Sequence, residues 1–182
     1  MALSADSLRV YESGIDPITN TLPVVASDIV YIGSALGDNG SGYARPLTAG
    51  DPFLGFAEDH QDNSAGSAGD LDVKVRSQGV VKLAVTGVTG VGDVGEPVYA
   101  SDDGTFTLTA STNTLVGTVQ RHVSGTTCMV TFASSTLQRK AAAVADLNQT
   151  ISATYDQAEV QAISDKVDAL LASLRTAGTL DS

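Results

Sequence analysis

Short apolar-rich runs alternate with turn clusters from residue 22 to residue 132, a spacing of about eight to twelve residues. In the run Leu71–Arg76, apolar residues alternate with charged ones, which puts one face of a strand in a core and the other in water. The pattern predicts these strands: Asp28–Ile32, Tyr43–Leu47, Phe53–Glu58, Leu71–Arg76, Val80–Val85, Pro97–Ala100, Thr105–Thr109, Leu115–Arg121 and Thr126–Phe132.

The connections between these strands have the composition of tight turns. They include GDNGSG at 37–42, DNSAGSAGD at 62–70 and SDDG at 101–104, the last of which is typical of a short hairpin. No segment of helical period interrupts the strands, so a parallel sheet with crossover helices is disfavoured. We therefore expect a mainly β fold, a small antiparallel β-barrel or sandwich.

The C-terminal segment has a different periodicity. Apolar residues recur there at alternating steps of three and four, as in the a and d positions of a coiled coil: Val160, Ile163, Val167, Leu170, Leu174 and Ala177. Asp156 with Glu159 forms a start signal resembling a capping box, and Gly178 supplies a stop. The pattern predicts a helix whose stripe is an oligomerisation seam.

A second interpretation of this helix stays open, namely that its stripe packs on its own β domain. Leu171, at an e position, widens the stripe toward an ordinary amphipathic face. The preceding segment is rich in Ala, Ser and Thr, which is typical of a spacer and favours self-association.

The chain is thus expected to contain four regions. Residues 1–22 form an extended N-terminal arm with at most one short strand, in SLRVYES, and residues 23–134 form the β domain. Residues 135–153 form a linker or a short helix, and residues 154–182 form the oligomerisation helix.

The formal net charge is −11, and residues 1–135 carry 15 acidic and 6 basic side chains. An acidic body repels phosphate backbones and anionic lipid, so we expect neither nucleic-acid nor membrane binding. The start MALSADSLRV lacks the apolar core of a signal peptide, and no apolar run is long enough to span a bilayer. Synthesis in a cytoplasm is the expectation.

The glycine motif Gly90-Val-Gly92-Asp-Val-Gly95 matches the dinucleotide-binding pattern only in its letters. That site needs a helix N-terminus at the third glycine, whereas Glu96–Tyr99 returns at once to a strand pattern. His60 lies in an acidic loop and His122 beside Arg121, and both are expected at the surface rather than in a catalytic triad. We expect no enzyme and no cofactor.

The remaining candidate chemistry is weak. Cys128 stands alone in a strand-like run and is expected as a buried apolar residue. Acidic turn residues would supply oxygen ligands for Ca²⁺, but they lack the spacing of a calcium loop, so no metal site is expected: Asp38 with Asn39, and Asp59, Asp62 and Asp70.

Several segments occur in an order that resembles the capsid cement, or head decoration, proteins of tailed bacteriophages. Each segment is only a glycine turn and an apolar strand, and the order carries the resemblance: Pro46–Asp59, Gly79–Leu83, Val91–Ala100 and Leu115–Val119. The C-terminal segment is similar to helices of phage virion proteins, including head fibres.

The resemblance implies a small β domain that binds the outside of an assembled shell, commonly as a trimer. The expected partners are the major capsid protein and further copies of the chain, and the expected location is the outer capsid surface of a virion. The arm is expected to order on the shell by β-augmentation. The alternative function is an adhesive or carbohydrate-binding module of a fibre or spike, with Tyr31, Tyr43 and Tyr99 as the candidate aromatic residues.

Overall fold

The computed structural model describes residues 2–12, 18–136, 154 and 156–176. The chain divides into two compact units, Met1–Leu137 and Gln138–Ser182. The first unit contains all the described strands: β1 Tyr11–Glu12, β2 Thr19–Pro23, β3 Ile29–Val30, β4 Ala35–Asp38, β5 Ala44–Pro46, β6 Phe53–Ala57, β7 Gln61–Asp62, β8 Asp72–Arg76, β9 Gln78–Thr86, β10 Pro97–Ala100, β11 Phe106–Thr107, β12 Thr114–Ser124 and β13 Thr127–Ala133. The second contains helix α1, Gln157–Thr176.

Five strands of the first unit close into a barrel. They follow the order β9-β11-β10-β12-β13, and β13 pairs back with β9 over seven residues, from Gln78↔Ala133 to Ala84↔Thr127. The predicted mainly β fold with a small barrel and a C-terminal helix is confirmed. One pair departs from the antiparallel expectation, because β11 runs parallel to β9. The hairpin of β10 and β11 inserts β11 between β10 and β9 and fixes this direction.

A second sheet has the order β2-β8-β6-β4-β5, and β3 pairs with β7 alone. Strand β6 contributes to two cores. Phe53 and Phe56 join the barrel core, where four phenylalanine rings meet, with Phe56 and Phe132 4.9 Å apart between centroids. The other core is smaller and consists of Val24, Val30, Leu36, Ala44, Ala57, Val73 and Val75.

All nine predicted strands have a counterpart, but the sequence pattern missed β2, β4 and β7. Strand β2 contains Asn20 and Pro23, and β4 contains Gly37 and Asp38, residue types that are depleted in strands and typical of turns. The segment at residues 1–22 accordingly contains two strands rather than one at most. Through β1 and β2 it belongs to the sheets of the first unit.

Candidate assembly site

The N-terminal arm, which we define as residues 2–12, lies extended against the barrel. The Ser7 amide donates to the Ile32 carbonyl at 2.8 Å, and the Lys82 amide donates to the Val10 carbonyl at 2.8 Å. From Tyr11 the arm continues as strand β1, which pairs antiparallel with β9. The arm is therefore an edge element of its own barrel.

Side chains alternate along the arm in a way that the sequence did not predict. Leu8 and Val10 point outward, with 82% and 61% of their surface exposed. Arg9 points inward, where its Nε donates to the Gly33 carbonyl at 2.7 Å and its guanidinium lies 5.6 and 5.3 Å from the ring centroids of Phe56 and Phe106. Burial lowers the pKa of Arg9, and cation–π attraction by the two rings stabilises its charge.

The surface under the arm admits very little extra volume at Gly33. This residue has φ +81°, and a Cβ atom placed on it would lie 1.8 Å from the carbonyl oxygen of Ser7. We call the surface formed by Ile32, Gly33, Lys82 and the rings of Phe56 and Phe106 the arm groove. Glycine at 33 is what allows the arm to approach so closely.

Two carboxylates hold the arm at further points. Asp6 accepts a hydrogen bond from the Ile32 amide at 2.9 Å and pairs with Nδ1 of His60 at 2.8 Å. The bond from His60 is the largest cause that lowers the pKa of Asp6. On the body side, Asp103 is 2% exposed and accepts a hydrogen bond from the Leu3 amide at 3.0 Å. Burial raises the pKa of Asp103, and neighbouring Asp102 adds to the rise.

The raised pKa of Asp103 predicts how stability depends on pH. The folded state holds this proton more tightly than the unfolded chain, so the carboxyl's contribution to the free energy of unfolding falls as pH rises above 3.8. Asp103→Asn keeps an acceptor for the Leu3 amide but does not titrate. We expect the variant to gain stability relative to the natural chain as the pH is raised from about 3.5 to about 7, measured by urea unfolding.

Asp62→Asn is the matched control for this measurement. Hydrogen bonds from Ser64 lower the pKa of Asp62, so its contribution to stability is present above 3.8 and is lost as the pH falls below that value. The difference in free energy of unfolding between Asp62→Asn and the natural chain should therefore change with pH in the opposite direction to that of Asp103→Asn. If the free energy of unfolding changes with pH equally in both variants, burial does not raise the pKa of Asp103 as described.

Helix α1 carries the predicted oligomerisation seam on an exposed face. Val160, Ile163, Val167 and Leu170 are 53, 42, 50 and 48% exposed. Leu174, the next seam residue, is half-buried, while Ala177 and the stop signal Gly178 lie outside the described residues. The predicted start is confirmed, because the Asp156 carboxylate accepts the Ala158 amide at 2.8 Å. The role of the seam stays a prediction, and its first four members form an uncovered apolar stripe.

The glycine motif forms a closed loop. A 3-10 helix covers Val91–Asp93, and the Asp93 carboxylate accepts hydrogen bonds from the amides of Thr89 at 2.7 Å and Gly90 at 3.0 Å. These bonds lower the pKa of Asp93. The loop then enters strand β10, and the Gly95 amide donates to the Val119 carbonyl of β12.

The other candidate residues do not converge on one site: His60 lies beside Tyr31, and His122 lies opposite Cys128 in the β12–β13 pair. His60 packs edge-on against Tyr31 with a centroid distance of 5.4 Å, and Nε2 of His122 lies 3.0 Å from the Gly125 carbonyl in the β12–β13 hairpin. Cys128 is buried, as predicted, and burial raises the pKa of its thiol. Tyr31, Tyr43 and Tyr99 are half-buried and belong to different segments of the chain.

The acidic turn residues bind nearby protein atoms. Asp38 accepts the amides of Gly40 and Gly42, and Asn39 accepts those of Ser41 and Tyr43. The other three candidates also accept backbone amides: the amide of Lys74 donates to Asp59, that of Ser64 to Asp62 and that of Ser67 to Asp70. Among the described residues, no three His, Cys, Asp or Glu side chains converge as a metal site would require.

Sequence reasoning missed the residues that hold the arm, Arg9, Gly33 and Asp103. The available signal was the alternation in SLRVYES, which marks a strand but does not reveal which face is buried.

Comparison with known proteins adds no family to this description: no family model matches the chain, and no curated protein matches it. Within the described residues, no helix is both long and apolar enough to cross a membrane.

Proposed function

We propose that this chain is a structural protein that self-associates through α1 and binds the outer surface of an assembled phage shell, which it stabilises. The observation that carries the proposal is the stripe of Val160, Ile163, Val167 and Leu170, each about half exposed. Apolar stripes at heptad spacing are the usual contact between helices of an oligomer.

The size of the stripe does not by itself set the number of copies. Covering four half-exposed aliphatic side chains is worth about 4 kcal/mol per helix. Association costs about 4–15 kcal/mol for each copy added, so that an oligomer held by such short helices alone is marginal. A trimer is the proposed order because the family that the sequence resembles is commonly trimeric.

We propose a phage shell as the partner because the order of segments in the sequence resembles that of phage capsid cement proteins. The chemistry of the body is compatible with it, because a partner that binds only the assembled state stabilises that state by mass action. No bound cofactor is required for such a role. The acidic body, with 15 acidic and 6 basic side chains in residues 1–135, disfavours packaged DNA as the partner.

The docking of the arm changes the expected mode of shell contact. Because residues 2–12 already pair with their own barrel, the arm does not offer a free strand for β-augmentation. Its outward face remains, with Leu8 and Val10 as exposed apolar residues. We infer that this face takes part in the contact with the shell.

The proposal is tested by adding the protein to expanded shells and measuring the temperature at which they break open. We expect saturating protein to raise this temperature and to bind shells but not duplex DNA. Binding should persist in moderate salt, since apolar contacts are not screened. If occupied and bare shells break at the same temperature, the stabilising role is wrong and a displayed binding module becomes the better account.

The outward face of the arm gives a sharper prediction. The double variant Leu8→Asp with Val10→Asp should bind shells at least tenfold more weakly, about the effect of losing 1.4 kcal/mol. Ser4→Asp, on an exposed polar arm residue, is the control for added charge and should bind normally. Cosedimentation with shells measures both. Deletion of residues 1–20 is unsuitable here because it removes β1 and part of β2.

A further inference from the structure

The arm groove holds its occupant through contacts between the arm and the rest of the body. The arm binds the backbone of Ile32 and Gly33, the carboxylate of Asp103, the side chain of His60 and the edge of β9. Every one of these hydrogen bonds joins an arm residue to a residue outside the arm. An identical arm from another molecule would therefore make the same bonds.

We propose that the arm groove is a strand-acceptor site that also takes residues 2–12 of a second copy, so that copies held together through α1 exchange arms. The proposal rests on the self-association proposed above. Exchange of an identical element is a low-cost route to linked subunits, because no contact of the folded chain is lost.

We take the arm of a second copy as the occupant of the groove because the arm sequence has the features that the groove requires. The backbone of the segment must pass within van der Waals contact of Gly33, where a Cβ atom would lie 1.8 Å from the Ser7 oxygen. Two residues further along, an arginine must place its guanidinium over the rings of Phe56 and Phe106. A carboxylate must also reach His60. Residues Asp6, Ser7 and Arg9 supply all three features in phase.

Six positions of the sequence separate the end of β1 at Glu12 from the start of β2 at Thr19. Within an oligomer, the arms of neighbouring copies are present at an effective concentration on the order of millimolar. Exchange then competes with docking in the same chain.

Cross-linking between two full-length variants tests the exchange. Asp6 Oδ1 and His60 Nδ1 lie 2.8 Å apart, so cysteines at these positions come within reach of a short thiol cross-linker. One copy carries Asp6→Cys and the other His60→Cys, and the two are expressed together. Native Cys128 is buried, so we expect it not to react with the cross-linker. We expect a covalent dimer of the two variants on a denaturing gel.

The single chain with both cysteines is the reference for the geometry and should close within the chain. A pair of Asp6→Cys with Ser64→Cys is the matched control and should not cross-link, because Ser64 is exposed and bonds to Asp62 rather than to the arm. If the reference chain closes but the mixture of Asp6→Cys and His60→Cys stays monomeric on the gel, arm exchange is wrong.

Gly33→Ala shows which copy's groove is used, since the added Cβ atom would clash with the Ser7 carbonyl oxygen of the bound arm. In the copy with His60→Cys it should abolish the covalent dimer, because that copy supplies the groove. In the copy with Asp6→Cys it should leave the dimer in place, which also shows that the substituted chain folds. Equal yields in the two arrangements would mean chance encounter rather than docking and would overturn the proposal.

Sedimentation of the natural chain separates this result from the proposed self-association. An oligomer whose arms close only within each chain leaves self-association intact and refutes the exchange. A monomeric natural chain refutes both.

Discussion

Replacing Phe56 with alanine should lower the free energy of unfolding of the β unit by about 3–5 kcal/mol. Phe56 is 0% exposed, and its ring lies 4.9, 5.5 and 6.0 Å from those of Phe132, Phe53 and Phe106. Small domains are stable by about 5–15 kcal/mol, so this is a large share of the total. Urea unfolding followed by circular dichroism measures it, since the chain has no tryptophan.

Two further variants keep this result interpretable. Leu54 is on the same strand but only half-buried, and it packs against the smaller core, so Leu54→Ala should cost clearly less. Phe56→Leu fills most of the cavity and should recover part of the loss. If Phe56→Ala destabilises no more than Leu54→Ala, the ring cluster is not the centre of the barrel core.

Replacing Leu170 with aspartate should dissociate the proposed oligomer while the β unit stays folded. The substitution puts a carboxylate in the middle of the proposed seam, where a buried charge without a partner costs several kcal/mol. That cost is comparable with the whole gain expected from one helix stripe. Sedimentation velocity should show the mass fall to that of the monomer.

Ala169→Asp is the matched control for Leu170→Asp. It adds the same charge one residue earlier, at an exposed position outside the seam, and should leave the mass unchanged. A fall in the unfolding temperature of the β unit in Leu170→Asp alone would show that the stripe packs on its own chain. That result would favour the second interpretation of the helix over self-association.

Many strands of the β unit were predictable because the chain marks them locally. Runs such as Leu71–Arg76 combine apolar alternation with flanking glycine turns, and the structure places them in strands. The closure of the barrel was not predictable in this way. It depends on the pairing of β9 with β13, whose residues are distant in the sequence, and no local pattern specifies such a pair.

The arm shows why the candidate site was harder to predict than the fold. In SLRVYES, hydrophobicity alone would bury Leu8 and Val10 and expose Arg9, whereas the structure has the reverse. The reason is that Phe56 and Phe106 present two ring faces to this position, and a guanidinium stacks on them better than an aliphatic side chain. The apolar stripe of α1, in contrast, was visible in the sequence because its period is local.

Strand β9 pairs with β1, which precedes it in the chain, and with β13, which follows it, and this sets the order of folding during synthesis on the ribosome. The arm leaves the exit tunnel well before its partners β9, Asp103 and Phe106. The barrel cannot close before β13 has been synthesised. Such distant contacts make folding slow. Helix α1 emerges after all the described strands. A nascent chain thus acquires the proposed seam only after the strands of its barrel have been synthesised, so the proposed association begins when the body is already able to fold.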